Sequence, residues 1–316
     1  MAENILRAFN GTLDLRAAYS YNAGQVESFL QDVCSNPATY AVPANVQTEL
    51  QRIRREILRL RSPNGPDYAS ATLTPNQHIH RTLNPAWPPS RQPVIVSKFK
   101  VGGHAHSNLN YWGIFDLLGL FLSTIGGAPT GASKRNFYLP LTAVYGKWCA
   151  AVGDRTPYMY QCTWRQRCGQ ADEFFLGSNL AGYDAPKPST GTWLYVMRRA
   201  RFRPLNDEPF KLTGYDFVHA PARRGPQAYN RQRFGTCAET YPFLRLLKGH
   251  NPTRETCHGL ALQRDFTTAA QYEDNLSGSA WTRVRDPCPN CQVLIRLYGG
   301  NLQNFLSTSG QAGAPP

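Results

Sequence analysis

Apolar residues recur along the chain with two different periods. Val46, Leu50, Ile53, Ile57 and Leu60 return at steps of three and four, the spacing that lines one face of a helix. Arg52, Arg54, Arg55, Arg59 and Arg61 fall between them, so this helix has a basic outer face. Such a face can lie on phosphates or serve as the solvated side of a docked helix. A second apolar run, Tyr111 to Ile125, contains Asp116 and several glycine or polar breaks. It falls short of the roughly 20 residues a bilayer span requires, reads as a buried helix, and gives no reason to expect a membrane partner. Cys237 to Leu247 and Cys288 to Leu297 also carry helical spacing.

Strand patterns lie between these segments. Pro93 to Val101 is β-branched and then alternating, which predicts a strand ending at Gly102-Gly103. Tyr158–Trp164 and Trp193–Met197 read as two strands separated by a polar excursion containing Gly and Pro, and His258–Leu262 reads as a short strand. From Ser62 to Pro93 the composition shifts to Pro, Asn, Ser and Thr, including Asn84-Pro85-Ala86-Trp87-Pro88-Pro89, as in a linker or a long wrapped loop. No internal repeat is present. The expected organisation is a helical, Pro-rich extension over residues 1–92, then an α/β domain over residues 93–316.

Composition narrows the function classes. With 316 residues, 41% hydrophobic and 17% charged, the chain can bury a real core and is neither disordered nor fibrous. Its net charge of +13 predicts attraction to a polyanion such as nucleic acid or an acidic membrane surface. The opening residues, MAENILRAFN, lack the basic-then-apolar run of a secretory signal, so an intracellular location, cytoplasmic or nuclear, is expected. Eight cysteines in such a compartment suggest thiols, and clustered thiols there serve metals more often than disulfides.

Three of those thiols carry the chemistry. In Pro287-Cys288-Pro289-Asn290-Cys291 two thiols three residues apart at a helix start share one face. Cys237, in Thr236-Cys237-Ala238-Glu239, can complete a three-sulfur set for Zn²⁺ that leaves a fourth tetrahedral position open. Glu239 is then well placed to carry protons to and from water at that position. Two alternatives stay open: a closed zinc knot with Cys257 as fourth ligand, and three unrelated buried thiols.

Gly235-Thr236-Cys237-Ala238-Glu239 followed by Pro287-Cys288-Pro289-Asn290-Cys291 resembles the cytidine deaminase superfamily, in its three-cysteine branch. The resemblance spans about the last third of the chain. It implies a deaminase-like three-layer α/β domain, a mixed sheet with helices on both faces. It implies Cys237, Cys288 and Cys291 as zinc ligands, Glu239 as general acid and base, and Ala238 and Pro287 backbone groups seating the base. Phe234, Tyr241 and Trp281 are candidate walls for a flat ring, with Tyr229 and Phe243 nearby.

The match has departures. The long gap between Cys237 and Cys288 implies an insertion, between Gly249 and Arg254 or between Thr267 and Arg283. Few residues follow Cys291, so strands expected after that helix are absent, displaced or supplied by Val94–Val101. Relatives that act on free cytidine often carry Arg directly after the Glu; here that residue is Thr240, and Arg233 or Arg245 is expected to offset the thiolate charge.

Most of the excess positive charge falls between Gly131 and Arg264. Arg198, Arg199, Arg201 and Arg203 follow the Trp193–Met197 segment, and Arg223, Arg224, Arg231 and Arg233 lead to Cys237, interleaved with aromatics. Guanidinium groups hold phosphates while rings stack unpaired bases, which favours a nucleic-acid polymer as partner. No residue reports on the sugar; DNA over RNA is what the resemblance implies, through the DNA-acting toxin-like and fungal members of the superfamily. The expected activity is hydrolytic conversion of cytosine to uracil. The alternatives are a free cytidine or nucleotide deaminase and a noncatalytic zinc-stabilised nucleic-acid-binding protein. Two His-x-His pairs, His78 with His80 and His104 with His106, read as ordinary polar edges and stay outside the site.

Overall fold

The computed structural model describes residues 4–61, 99–100, 109–111, 113–153, 156–181, 193–206, 234–273 and 278–308. Side-chain caps set where the first helices begin. Asp14 accepts backbone N–H groups from Arg16 and Ala17 at the start of α1 (Leu15–Ala18), and Asn22 and Gln25 form a reciprocal capping box that opens α2 (Ala23–Ser35). Helix α3 (Gln47–Arg61) buries Leu50, Ile53, Ile57 and Leu60, the stripe its sequence predicts. Its arginines lie outside or at the margin, where Arg52 pairs with Glu49 and Arg61 with Glu27 of α2.

Strands β1 (Phe99–Lys100) and β2 (Asn110–Tyr111) pair only with each other. Helix α4 (Ile114–Ile125) is apolar on nearly every side and correspondingly buried. Helix α5 (Leu139–Val152) continues from a π-helical turn at Lys134–Tyr138. Strands β3 (Met159–Arg167), β4 (Glu173–Ser178), β5 (Glu255–Gln263) and β6 (Val284–Arg285) form one sheet in the order β4-β3-β5-β6, every pair antiparallel. Three further helices, α6 (Trp193–Phe202), α7 (Thr240–Pro242) and α8 (Pro289–Leu297), complete the set among the described residues.

Both faces of the sheet are covered. On one, Tyr160 and Trp164 of β3 pack against α5 and the turn before it: Tyr138 stacks on Trp164 at 4.1 Å and Tyr145 meets Tyr160 at 5.8 Å. On the other, Gly177 of β4 lies under the Ala238 carbonyl and Pro242, so close that a Cβ there would stand 2.5 Å from that oxygen. Helix α4 covers the outer edge of β4. Its Ser123 hydroxyl accepts the Leu176 N–H at 2.9 Å, which satisfies an edge donor that would otherwise be open to pairing. Helices α2 and α3 pack behind α5 and α4, and apolar residues from Ala8 to Phe305 form one continuous core.

Several expectations are corrected or narrowed. The sheet is antiparallel, not mixed, among the described residues. Trp193–Met197 is the start of helix α6, not a strand; the partner of β3 is Glu173–Ser178, inside the segment read as a polar excursion. The aromatic and β-branched content of Trp-Leu-Tyr-Val-Met suits a strand, but Met197, Arg201 and Phe202 recur at helical spacing and are the buried positions among its described side chains. The helix expected from Cys237 begins only at Thr240 and continues as a π-helical turn over Phe243–Leu247. No strand follows α8 among the described residues; a short 3₁₀ turn, Leu302–Phe305, packs on the sheet instead. Of the Pro93–Val101 strand only Phe99–Lys100 is described, and it joins β2 rather than the main sheet. Residues 249–254 make a tight turn held by Asn251.

Candidate metal centre

Cys237, from the turn before α7, meets Cys288 and Cys291, from the start of α8. Cys288 caps α8, whose Pro289 occupies a first-turn position where no N–H is needed. Cys291 follows on the first turn of the same helix. Cys237 lies in the turn before α7, where the Thr240 hydroxyl and N–H both donate to its carbonyl. The Sγ atoms of Cys237 and Cys288 stand 3.5 Å apart, as do those of Cys288 and Cys291. All three lie within 4.8 Å of one another. Three sulfurs about 2.3 Å from one tetrahedral ion are separated by about 3.8 Å, so this set fits a metal with little adjustment.

The electrostatics favour thiolate at one corner. Cys288 is held well below its ordinary thiol range because the Cys237 and Cys291 sulfurs donate to it and the Cys291 and Asn290 N–H groups point at it. Burial pushes Cys291 well above that range. Glu239, only 6% exposed, lies beside the trio, and its carboxyl interacts with both Cys291 and Cys288. Burial first, and then the Cys288 sulfur, push that carboxyl up to about 7.

Two of the open readings separate here. Cys257 points away from the trio and its thiol donates to the Leu246 carbonyl at 3.4 Å, so the knot with Cys257 as fourth sulfur does not form. The three thiols are not scattered. All eight cysteines are free.

Arg201 is the main correction to the expected nucleic-acid surface. Its side chain is 1% exposed and cannot meet a polymer. It donates to Asp116 at 2.6 Å, to the Gly235 carbonyl at 2.8 Å, and to the Ser178 and Cys237 carbonyls at 3.0 Å each. Its guanidinium also lies over the Tyr241 ring at 4.9 Å. The sequence signal for this role was Asp116, a lone acid in an otherwise apolar helix, which needs a buried cation.

Of the other arginines, Arg203 is exposed and Arg198 half-buried, and both lie on or just after α6. The Arg199 side chain and Arg223, Arg224, Arg231 and Arg233 lie outside the described residues, as do Tyr229 and the four histidines of the His-x-His pairs. Arg245 stands over the Phe175 ring at 5.5 Å instead of at the sulfurs.

The expected ring-binding residues are all buried. Phe234 packs near Phe202, Tyr241 stacks on Tyr111 at 4.5 Å, and Trp281 is 5% exposed. Phe243 meets Phe305 in the core. Ala238 is buried against Gly177, and the Pro287 carbonyl accepts from the Gln292 side chain at 2.8 Å.

Family models, curated proteins and solved structures all return no match to this chain. The metal reading therefore stands on the sulfur geometry, and the nature of the ion is not fixed by it. Among the described residues no helix is long and apolar enough to cross a membrane.

Proposed function

We propose that this protein is a zinc-dependent deaminase that converts cytosine to uracil in nucleic acid, acting on DNA in preference to RNA. The observation that carries the reading is the placement of Glu239, a buried carboxyl, against three convergent thiols. Zinc held by Cys237, Cys288 and Cys291 supplies a Lewis acid that lowers the pKa of water toward about 7.

The chain's own residues divide the remaining work. Glu239 takes a proton from water and passes it to the ring nitrogen as the oxygen bonds to C4; it then moves the proton of the new C4 hydroxyl to the exocyclic amine, whose C–N bond breaks to release ammonia and leave the C4 carbonyl of uracil. A carboxyl poised near neutrality can both accept and return a proton, as this sequence of transfers requires. The start of α8 directs the Asn290 and Cys291 N–H groups toward Cys288 and offsets part of the thiolate charge. The net charge of +13 supports a polyanionic substrate, and Arg203 is one exposed cation available to it.

The test is incubation of zinc-loaded protein with single- and double-stranded oligonucleotides of both sugars, followed by sequencing of the products. Cytosine-to-thymine reads, absent with Glu239→Gln, are expected. Intact cytosine in every polymer, with zinc bound, overturns the reading; turnover of free cytidine alone overturns its polymer component.

A further inference from the structure

Cys288 and Cys291 are placed for a second chemistry besides metal binding. Cys288 caps α8 and is the half-buried member of the trio, whereas Cys237 and Cys291 are buried. An oxidant arriving from solvent therefore meets Cys288 first. Cys291 follows on the first turn of the same helix, with its Sγ 3.5 Å from that of Cys288. A disulfide needs about 2.05 Å, so the gap is closed by a shift of less than about 2 Å between two side chains. An outer and an inner thiol spaced Cys-x-x-Cys at a helix start is the arrangement that dithiol oxidoreductases use.

The Cys237 sulfur also stands 3.5 Å from Cys288, but the two neighbours are not equivalent as partners. Cys237 belongs to a turn held from inside the core: the Arg201 guanidinium and the Thr240 hydroxyl and N–H all donate to its carbonyl. Bonding it to Cys288 would draw together two elements that lie 51 residues apart in the chain. Cys291 is tethered to Cys288 by Pro289 and Asn290 alone, so that ring closes at little entropic cost. Cys257 faces Leu246 and does not compete.

We propose that Cys288 and Cys291 form a reversible dithiol–disulfide couple, oxidised by a peroxide, and that this disulfide and the metal exclude each other. The exclusion rests on the metal reading above; the couple does not. The Cys288 sulfur gives an electron pair to one peroxide oxygen, the O–O bond breaks, and the other oxygen leaves as water with the thiol proton, so that Cys288 becomes a sulfenic acid. The Cys291 sulfur then attacks the Cys288 sulfur. The S–S bond forms, the S–O bond breaks, and the departing oxygen takes the Cys291 proton as a second water. Two thiols have lost two electrons, and the peroxide is reduced to two waters. Disulfide sulfurs are no longer thiolates, which leaves Cys237 as the one remaining sulfur ligand and releases the ion. An external dithiol reverses the bond by exchange.

The test treats full-length protein, metal-free and zinc-loaded, with one molar equivalent of hydrogen peroxide, then alkylates the remaining thiols and digests with trypsin. Cys288 and Cys291 share the tryptic peptide Asp286–Arg296, while Cys237 lies in Phe234–Arg245, so mass spectrometry separates the two possible bonds. Asp286–Arg296 should be recovered unalkylated and lighter by about 2 Da, the two hydrogens lost on forming one disulfide. Zinc, read with a chromogenic chelator, should leave as that peptide appears, and dithiothreitol should restore both thiols and metal uptake. Cys291→Ser should abolish the mass loss, and Cys237→Ser should preserve it.

Recovery of Asp286–Arg296 with both cysteines alkylated overturns the proposal, and zinc bound in that same sample leaves the metal reading standing. A cross-link between Phe234–Arg245 and Asp286–Arg296 as the main product overturns it as well, as does a disulfide that forms while zinc stays bound. Reduced protein that takes up no zinc yet forms the Cys288–Cys291 bond upholds the couple and removes the metal reading instead.

Discussion

The guanidinium of Arg201 holds the backbone carbonyl of Cys237 at 3.0 Å from inside the core. The same head is bound to Asp116 of α4 and to Ser178 of β4, so one side chain fastens the Cys237 turn to the sheet and to the helix beyond its edge. Asp116→Ala leaves that cation buried and unpaired, which costs about 3–5 kcal/mol. Urea unfolding should show this loss. Arg201→Lys keeps the charge but cannot span four acceptors, so its metal affinity, read by chelator competition, should fall even where the far-UV spectrum is unchanged. Wild-type metal affinity in a folded Arg201→Lys protein would remove Arg201 from the support of the site.

The sulfur geometry makes a sharp distinction among eight free thiols. Cys288→Ser or Cys291→Ser should lose bound metal, measured by elemental analysis, whereas Cys257→Ser should retain it because that thiol faces Leu246. A cobalt-substituted sample should show charge-transfer absorption typical of three thiolates, unchanged by Cys257→Ser. Loss of metal from Cys257→Ser alone would restore the four-sulfur knot.

The cysteine motifs were legible in the sequence because the chemistry depends on local spacing: Cys288 and Cys291 share a helix turn, and Glu239 follows Cys237 by two residues. The stripe of α3 was legible for the same reason. The strand partner of β3 was not, because Glu173–Ser178 is short and ends in Gly177 and Ser178, whose small side chains matter only once Pro242 lies over them. Arg201 was misread because a run of arginines gives no indication of which one points inward. That was decided by Asp116, distant in sequence and brought near by packing.

Helix α4 depends on Gly119 to approach the β4 edge. A Cβ there would lie 2.5 Å from the Leu176 carbonyl oxygen and 3.2 Å from the Tyr145 hydroxyl. Alanine gains about 1 kcal/mol of helix propensity, but backbone cannot yield as a flexible side chain can, and overpacking of about 1–3 kcal/mol wins. Gly119→Ala should therefore lower stability, whereas Gly126→Ala, at an open position, should be near neutral. Equal denaturation midpoints for the two would show that the edge contact is slack.

His258 sits on the Trp164 ring at 5.6 Å, nearly parallel to it, with both ring nitrogens buried and without a hydrogen-bond partner. Burial drives its pKa down to about 4, opposed only partly by Asp172. Above about pH 6.5 the ring is neutral in both folded and unfolded chains, and the contribution to stability is complete. As pH falls from 6.5 to 4 the unfolded chain binds the proton first, so folding stability declines through that window. Allowing for the partial exposure of the residue, the loss is about 1–2 kcal/mol. His258→Phe keeps a flat ring on Trp164 and removes the proton, so its unfolding free energy should lose that share of the slope between pH 6.5 and 4. If wild type and His258→Phe run parallel across that range, the imidazole does not titrate against folding.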